Sequence, residues 1–184
     1  LYGGARYGGK SHWLRWVNVI LHLYWHNVMG LRNVRTGLFC EDYPSLKDRQ
    51  VGKIEKEFPL WLGELKSTQA EGLGFYLTEA NGGGAIMLRN LDEPEKYKSA
   101  EFAAVSIDQL EMNTLDTFNV IRGSKRWPGI PHTKLIASAN PGGIGHAFVK
   151  QYWIDRDFPP EMETIKDQFY FVQSLPADNP YLEQ

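Results

Sequence analysis

The chain has 184 residues, 42% of them hydrophobic, a formal net charge of −2 and one cysteine, Cys40. That length suits a single domain with a sizeable core, and the composition excludes global disorder. The near balance of charge argues against a surface that is a nucleic-acid platform throughout, while leaving room for a local basic patch. A lone cysteine excludes an internal disulfide and fits a reducing compartment.

The first element is an apolar pair, Leu1-Tyr2, read as the end of a core strand; because the chain starts inside that strand, residues upstream are expected. Gly4-Ala5-Arg6-Tyr7-Gly8-Gly9-Lys10-Ser11 then matches the phosphate-loop pattern G-x-x-x-x-G-K-[ST] in full. Such a loop works where a buried strand ends and a helix begins, since the helix N-terminus points free N–H groups at an anion. A helix is predicted over 13–29, apolar on most faces as if buried all round, with Gly30 as its stop. Arg15, Asn18, His22, His26 and Asn27 interrupt the apolar run from Trp13 to Val28, so it does not read as a membrane span, and no membrane partner is expected. His22 and His26 have a metal-chelating spacing but no third ligand, and are read as structural.

A short strand is predicted over 35–39. Ser45 is the candidate cap of a polar helix over about 46–58, where Lys47, Arg49, Lys53 and Lys56 mix with acids as on a solvated face; a DNA-facing role is the alternative. Extended runs over 75–77 and 85–88 flank Asn81-Gly82-Gly83-Gly84 as a hairpin or loose loop. The apolar run Phe102 to Ile107, ending in Asp108, has the character of a parallel strand buried on both faces. A helix over 115–121, a strand over 134–138 running into Ser138-Ala139-Asn140-Pro141, and a last strand over 169–172 complete the pattern. Strands alternating with helices predict an α/β fold, a phosphate-loop NTPase core with a mainly parallel sheet flanked by helices.

Three strands thus end in chemically loaded sequence. The first ends in the loop, where Gly4, Ala5, Arg6, Tyr7, Gly8 and Gly9 can wrap a phosphate, Lys10 supplies a point charge and Ser11 can ligate Mg²⁺. The second ends at Asp108, the carboxylate expected to hold Mg²⁺ through water; a turn aspartate is the alternative. The third ends at Asn140, either a sensor of the γ-phosphate or an Asn-Pro turn. Arg6 is expected to pair with the γ-phosphate, or else to shape the loop through a salt bridge. His146, just after the third motif, is read as structural.

These motifs in this order, with Tyr43-Pro44-Ser45-Leu46, the stretch from Arg89 to Lys96 and the tail Asp178-Asn179-Pro180-Tyr181-Leu182, resemble the ATPase domain of phage terminase large subunits. The resemblance covers nearly the whole chain. It implies ATP and Mg²⁺ as ligands and an ATPase that pumps double-stranded DNA into a procapsid. It also implies portal protein and small terminase subunit as partners, a ring of subunits as the active form, and a place in the host cytoplasm, transiently at the procapsid portal. The family's nuclease domain would follow Gln184, and its adenine-binding residues are expected upstream of Leu1. A neighbouring subunit would donate an arginine in trans, for which Arg89, Arg122 and Arg126 are candidates.

One position departs from the family. Terminases usually carry Asp-Glu at the end of the second motif strand, the glutamate activating water, whereas this chain has Asp108-Gln109-Leu110-Glu111. Glutamine can orient water but cannot take its proton. Three readings follow: an engineered Gln109, a native Gln109 with Glu111 as the base after a backbone adjustment, or a natural variant of weak hydrolysis. The second is preferred. Two rival functions also remain, a small-molecule kinase, for which no lid is recognisable, and a nucleotide-dependent switch with weak hydrolysis.

Overall fold

The computed structural model describes residues 1–179. Eight strands form one sheet in the order β3-β4-β5-β2-β6-β7-β1-β8. They are β1 Tyr2–Gly4, β2 Arg35–Cys40, β3 Gly63–Thr68, β4 Gly72–Leu77, β5 Ala85–Asn90, β6 Ala104–Ile107, β7 Lys134–Ala139 and β8 Val172–Ser174. From β5 across to β8 every neighbouring pair is parallel, while β3 and β4 add an antiparallel flap on the β5 edge. The α/β class and mainly parallel sheet are as expected.

The core strands are apolar on both faces because helices cover both. In β2 and β5, Leu38, Ile86 and Leu88 pack with Leu14 and Val19 of the first helix and with Leu46 and Ile54, while Phe39 and Met87 face Phe118, Ile121 and Trp153 on the other side. Alternate residues of one strand therefore feed two cores, the two-faced burial of a parallel sheet. Phe39 is fully buried and packs edge-on against Tyr97 and Phe102.

Helix α1 spans Lys10–Met29 and ends as expected at Gly30, whose left-handed backbone (φ 68°) lets Gly30 and Leu31 donate back to His26 and Trp25. Its start lies earlier than the sequence suggested, inside the phosphate-loop pattern itself. It is also not buried all round: Leu14, Asn18, His22 and Trp25 face the sheet, but Ile20, Tyr24 and Val28 are exposed. His22 is committed to the core, its Nε2 lying 3.2 Å from Thr36 Oγ1.

The polar helix is three segments in series, α2 Tyr43–Leu46, a π-turn Lys47–Val51 and α3 Gly52–Glu57. Its cap is Asp42 rather than Ser45, with the Asp42 carboxylate accepting from the Ser45 N–H at 2.7 Å. Pro44 explains the shift, since it fits the first turn of a helix, where no N–H is needed. Helix α4 covers Leu115–Gly123, capped by Thr114, and α5 is a short turn, His146–Val149, continued by a second π-turn. The last strand falls three residues later than the sequence suggested, at Val172–Ser174.

Candidate active site

Strands β1, β2, β6 and β7 run parallel, so their carboxyl ends share one rim, the rim where ligands bind in open α/β sheets. The strand carrying the glycine loop and the strand carrying Asp108 are not neighbours; β7 lies between them. Ser138 and Asn140 are thereby placed between the loop and Asp108. A cleft of about 790 Å³ opens there, lined by Arg6, Lys10, Ser11, Asp108, Glu111 and Asn140 among others.

The loop is shaped from both ends. Gly4 (φ 134°), Tyr7 (φ 68°) and Gly9 (φ 73°) all have positive φ, and the tyrosine pays a steric cost there of about 1–2 kcal/mol. That conformation persists because other groups fix it. Ser174 Oγ and Tyr2 Oη donate to the Gly8 carbonyl at 3.1 and 3.2 Å, Asn179 Nδ2 donates to the Tyr7 carbonyl at 2.8 Å, and the Ala5 N–H reaches the Ser174 carbonyl at 3.1 Å. A β-carbon on Gly8 would lie 1.8 Å from Ser174 Oγ, so glycine is required for close approach to β8. Ser174 and Asn179 carry no signal in a single sequence beyond the latter's place in the tail motif.

Gly9 precedes α1 with no side-chain cap, and the first turn of α1 holds no acidic residue. Its N–H groups and dipole are thus left for an anion. Lys10 is buried, and its ammonium donates to the Ala5 carbonyl within the loop. Burial lowers the Lys10 pKa, against the opposing charges of Glu111 and Asp108. Arg6 is exposed at the mouth of the cleft and makes no ion pair among the described residues, so the loop-shaping salt bridge is not observed.

Asp108 is fully buried and saturated with donors. Ser138 Oγ and Ser11 Oγ reach its Oδ1 at 2.6 and 3.0 Å, and Gln50 Nε2 reaches its Oδ2 at 2.8 Å. Arg49 Nε lies 3.9 Å from Oδ2 while Arg49 pairs with Glu41. This corrects the solvated-face reading for Arg49, which the π-turn rotates inward; Lys47, Lys53 and Lys56 are exposed. Gln50 and Arg49 as site neighbours were not legible, because a regular helical period places them elsewhere.

The donor set fits Mg²⁺. Ser11 and Asp108 offer hard oxygen ligands side by side, and among the described residues no group of three or more His, Cys, Asp or Glu could cage an ion. An ion held this way completes its shell with water and substrate phosphates.

Gln109 adopts a left-handed backbone (φ 56°) pinned by its N–H to Ser138 Oγ at 2.9 Å. A single turn, Leu110–Met112, follows and swings Glu111 back into the cleft. Glu111 is buried, its Oε1 accepting from Asn140 Nδ2 at 3.0 Å and its Oε2 without a hydrogen-bond partner among the described residues. Burial pushes its carboxyl above the usual range, with hydrogen bonds, among them the one from Asn140, pulling the other way and the Asp108 charge adding to the rise. Glu111 thus lines the same cleft as Lys10, Ser11 and Asp108. Glycines seal the turn: Gly145 N–H donates to the Glu111 carbonyl at 2.8 Å, and a β-carbon on Gly143 would strike that carbonyl at 2.3 Å.

Other residues singled out in the sequence lie elsewhere. His146 Nδ1 accepts from the Gly142 N–H at 3.1 Å, a loop-bracing role. Arg89 donates to the carbonyls of Leu73 and Leu88 at 2.7 and 2.8 Å, Arg126 pairs with Glu101, and Arg122 lies over the Phe118 ring. Within the tail motif, Pro180, Tyr181 and Leu182 fall outside the described residues.

The fold has known structural counterparts. The large terminase of a thermophilic bacteriophage, in complex with ATP-gamma-S, superposes with a TM-score of 0.70 at 14% identity, covering 99% of this chain and 40% of that one. The fold is that of a phage large terminase. The HK97 bacteriophage large terminase gives a TM-score of 0.58 at 11% identity, covering 94% of this chain and 35% of that one. The Thermus phage P74-26 large terminase ATPase domain gives 0.54 at 11% identity, covering 94% and 74% respectively. The chain thus spans about two-fifths of the length of the thermophilic phage's terminase. No family model matches the sequence, and no curated protein matches it.

Proposed function

We propose that this chain is the ATPase motor domain of a viral terminase large subunit, which hydrolyses ATP to drive double-stranded DNA into a procapsid. The observation that carries the reading is the meeting, in one cleft, of the glycine loop, the Ser11–Asp108 pair and the Glu111–Asn140 pair. The terminase fold supports it. The thermophilic phage's large terminase is described with ATP-gamma-S, and in this chain the equivalent ligand would be ATP.

In this reading the phosphates lie over the N-terminus of α1, where backbone N–H groups receive them, and Lys10 turns from the Ala5 carbonyl to the β- and γ-phosphates. Ser11 and, through water, Asp108 would hold Mg²⁺. An ion held there would supply positive charge against the phosphates of ATP. Arg6, free at the cleft mouth, adds positive charge as negative charge spreads over the γ-phosphoryl oxygens. Glu111 Oε2 takes a proton from the attacking water; the new P–O bond forms at the γ-phosphorus and the bond to the ADP oxygen breaks. Asn140 touches Glu111 directly and so relays the state of the γ-phosphate to the Pro141–Gly145 loop. A single domain of this kind completes its working cycle in a ring at the portal, with the small subunit and DNA as partners, in the host cytoplasm.

The test is phosphate release by the longer terminase polypeptide, with and without double-stranded DNA and procapsids. Hydrolysis that vanishes in Lys10→Ala and powers DNA uptake is expected. Hydrolysis insensitive to Lys10→Ala, or uncoupled from DNA movement, overturns the reading.

A further inference from the structure

Outside the lining of the cleft lies a second layer of polar side chains, Arg15, Arg49, Gln50 and Glu57. The π-turn Lys47–Val51 interrupts the helix between α2 and α3. Such turns insert an extra residue and are frequent at functional sites. Here it brings Arg49 and Gln50 to the inner side together. Gln50 is fully buried, its Nε2 donating to Asp108 Oδ2 at 2.8 Å and its Oε1 accepting from Arg15 Nη1 at 3.2 Å. The neighbours dictate this orientation. A carboxylate only accepts and a guanidinium only donates, so the flipped amide would lose both bonds.

Arg15 is itself immobilised. It is buried in α1, its Nε and Nη2 gripping both Glu57 oxygens at 2.9 and 2.6 Å, and its Nη1 also reaching the Arg49 carbonyl at 3.2 Å. A bidentate guanidinium–carboxylate pair fixes direction as well as distance. The result is a continuous chain, Asp108–Gln50–Arg15–Glu57, that ties the site carboxylate to two helices.

We propose that Gln50 is the positioning residue for Asp108: braced by Arg15 and Glu57, its amide pins Oδ2 at the back of the site and leaves Oδ1 facing Ser11. The proposal rests on the nucleotide–magnesium reading of the cleft. The competing partner is close by, since Arg49 Nε lies 3.9 Å from the same Oδ2. Without the Gln50 donor, Oδ2 loses its restraint while Ser138 still holds Oδ1, and the carboxylate can pivot about Oδ1 toward that cation and out of the orientation that faces the ion it would hold through water. Outer partners of this kind typically change metal affinity by about 10–100-fold.

Two variants separate positioning from mere bracing. Gln50→Glu, assayed at a pH where the new carboxyl is ionised, keeps an oxygen to accept from Arg15 and removes the donor to Asp108; Gln50→Met removes both. Binding of a fluorescent ATP analogue by the 184-residue chain is titrated against Mg²⁺ and Mn²⁺, and repeated in EDTA, with circular dichroism and melting recorded for each variant. The expected result is that both variants need about 10–100-fold more metal to reach the metal-enhanced affinity, with affinity in EDTA unchanged. A Gln50→Glu protein that needs the same or less metal than the parent overturns the proposal. So does a metal defect confined to Gln50→Met and accompanied by a lower melting temperature, which assigns Gln50 to bracing Arg15 alone. A parent protein whose nucleotide affinity ignores metal overturns the underlying reading of the cleft instead.

Discussion

Glu111 Oε1 accepts a 3.0 Å hydrogen bond from Asn140 Nδ2, while Glu111 Oε2 is buried with no hydrogen-bond partner among the described residues. Leaving a buried carboxylate oxygen unpaired is costly, and such groups in native proteins call for an explanation. A base that must take a proton from water supplies one. Glu111→Gln is expected to lower single-turnover ATP hydrolysis by about 10²–10⁴-fold while nucleotide affinity stays near that of the parent. Rapid-quench kinetics beside equilibrium binding would measure both. In the same assay Gln109→Glu is expected to change the rate little; a rise of several orders of magnitude would rule out Glu111 as a competent base.

The Asn140 bond makes a separate prediction about pH. Burial raises the Glu111 carboxyl from its ordinary 4.5, and the Asn140 hydrogen bond opposes that rise by favouring the charged form. A base works only when ionised, so hydrolysis falls as pH drops through the Glu111 pKa. Backbone hydrogen bonds from Glu111 itself and from Asn140 also oppose the rise, so Asn140→Ala removes one of the opposing bonds and leaves the carboxyl somewhat higher still. The acidic limb of the pH–rate profile should therefore move to higher pH in Asn140→Ala, and an unmoved limb would separate Asn140 from the base.

Gly8 offers a test by steric collision. Its missing β-carbon leaves room for Ser174 Oγ, which would otherwise lie 1.8 Å away. Gly8→Ala should push the loop off β8, break the hydrogen bond from Ser174 to the Gly8 carbonyl and abolish nucleotide binding. Ser174→Gly in the same chain removes the obstructing atoms and should restore part of the affinity. Isothermal titration with ATP would read both, and an absence of rescue would point to a cause other than the β8 contact.

Those two residues also mark where the sequence stops being legible. Gly8 belongs to a local pattern of fixed spacing, and Asp108 and Asn140 stand at the ends of apolar runs that announce buried parallel strands. Ser174, by contrast, meets Gly8 across 166 residues of chain, a relation without any period. Gln50 was hidden for a different reason: the π-turn breaks the regular helical spacing that assigned its neighbours Lys47, Arg49 and Lys53 to one solvated face. Strand β3, Gly63–Thr68, was missed because it is an edge strand with half of its residues exposed and only Leu65 apolar among its side chains, so its sequence lacks apolar alternation. Tertiary pairing with β4 makes it a strand, and only the folded chain holds that information.

Arg6 extends the site into solvent. It is exposed, lines the cleft and is not tied to an acid among the described residues, so its removal should cost the fold less than about 0.5 kcal/mol. Charge placed at the γ-phosphoryl oxygens acts most strongly in the transition state, and an arginine so placed is worth about 10³-fold or more in rate. Arg6→Ala should accordingly lower kcat far more than it raises KM, with melting temperature unchanged. Equal effects on both constants would mean that Arg6 only helps ATP to bind.

His22 is expected to make the stability of the domain depend on pH. It is buried beside Thr36, and burial lowers its pKa from 6.5 to about 4, with a hydrogen bond involving the Ala85 backbone opposing the shift. Between those two values the unfolded chain binds a proton at this position and the folded chain does not. Unfolding free energy therefore rises with pH in that window, and its full contribution is present above about pH 6.5. On acidification the contribution declines through the window, by about 1.4 kcal/mol per pH unit and ~3 kcal/mol in total, reaching its floor below about pH 4. Urea unfolding at a series of pH values should show that slope in the parent chain. His22→Phe should be less stable at neutral pH, because Thr36 Oγ1 loses its partner, yet its stability should fall less steeply between pH 6.5 and 4. An unchanged slope in His22→Phe would place the acid sensitivity of the domain elsewhere.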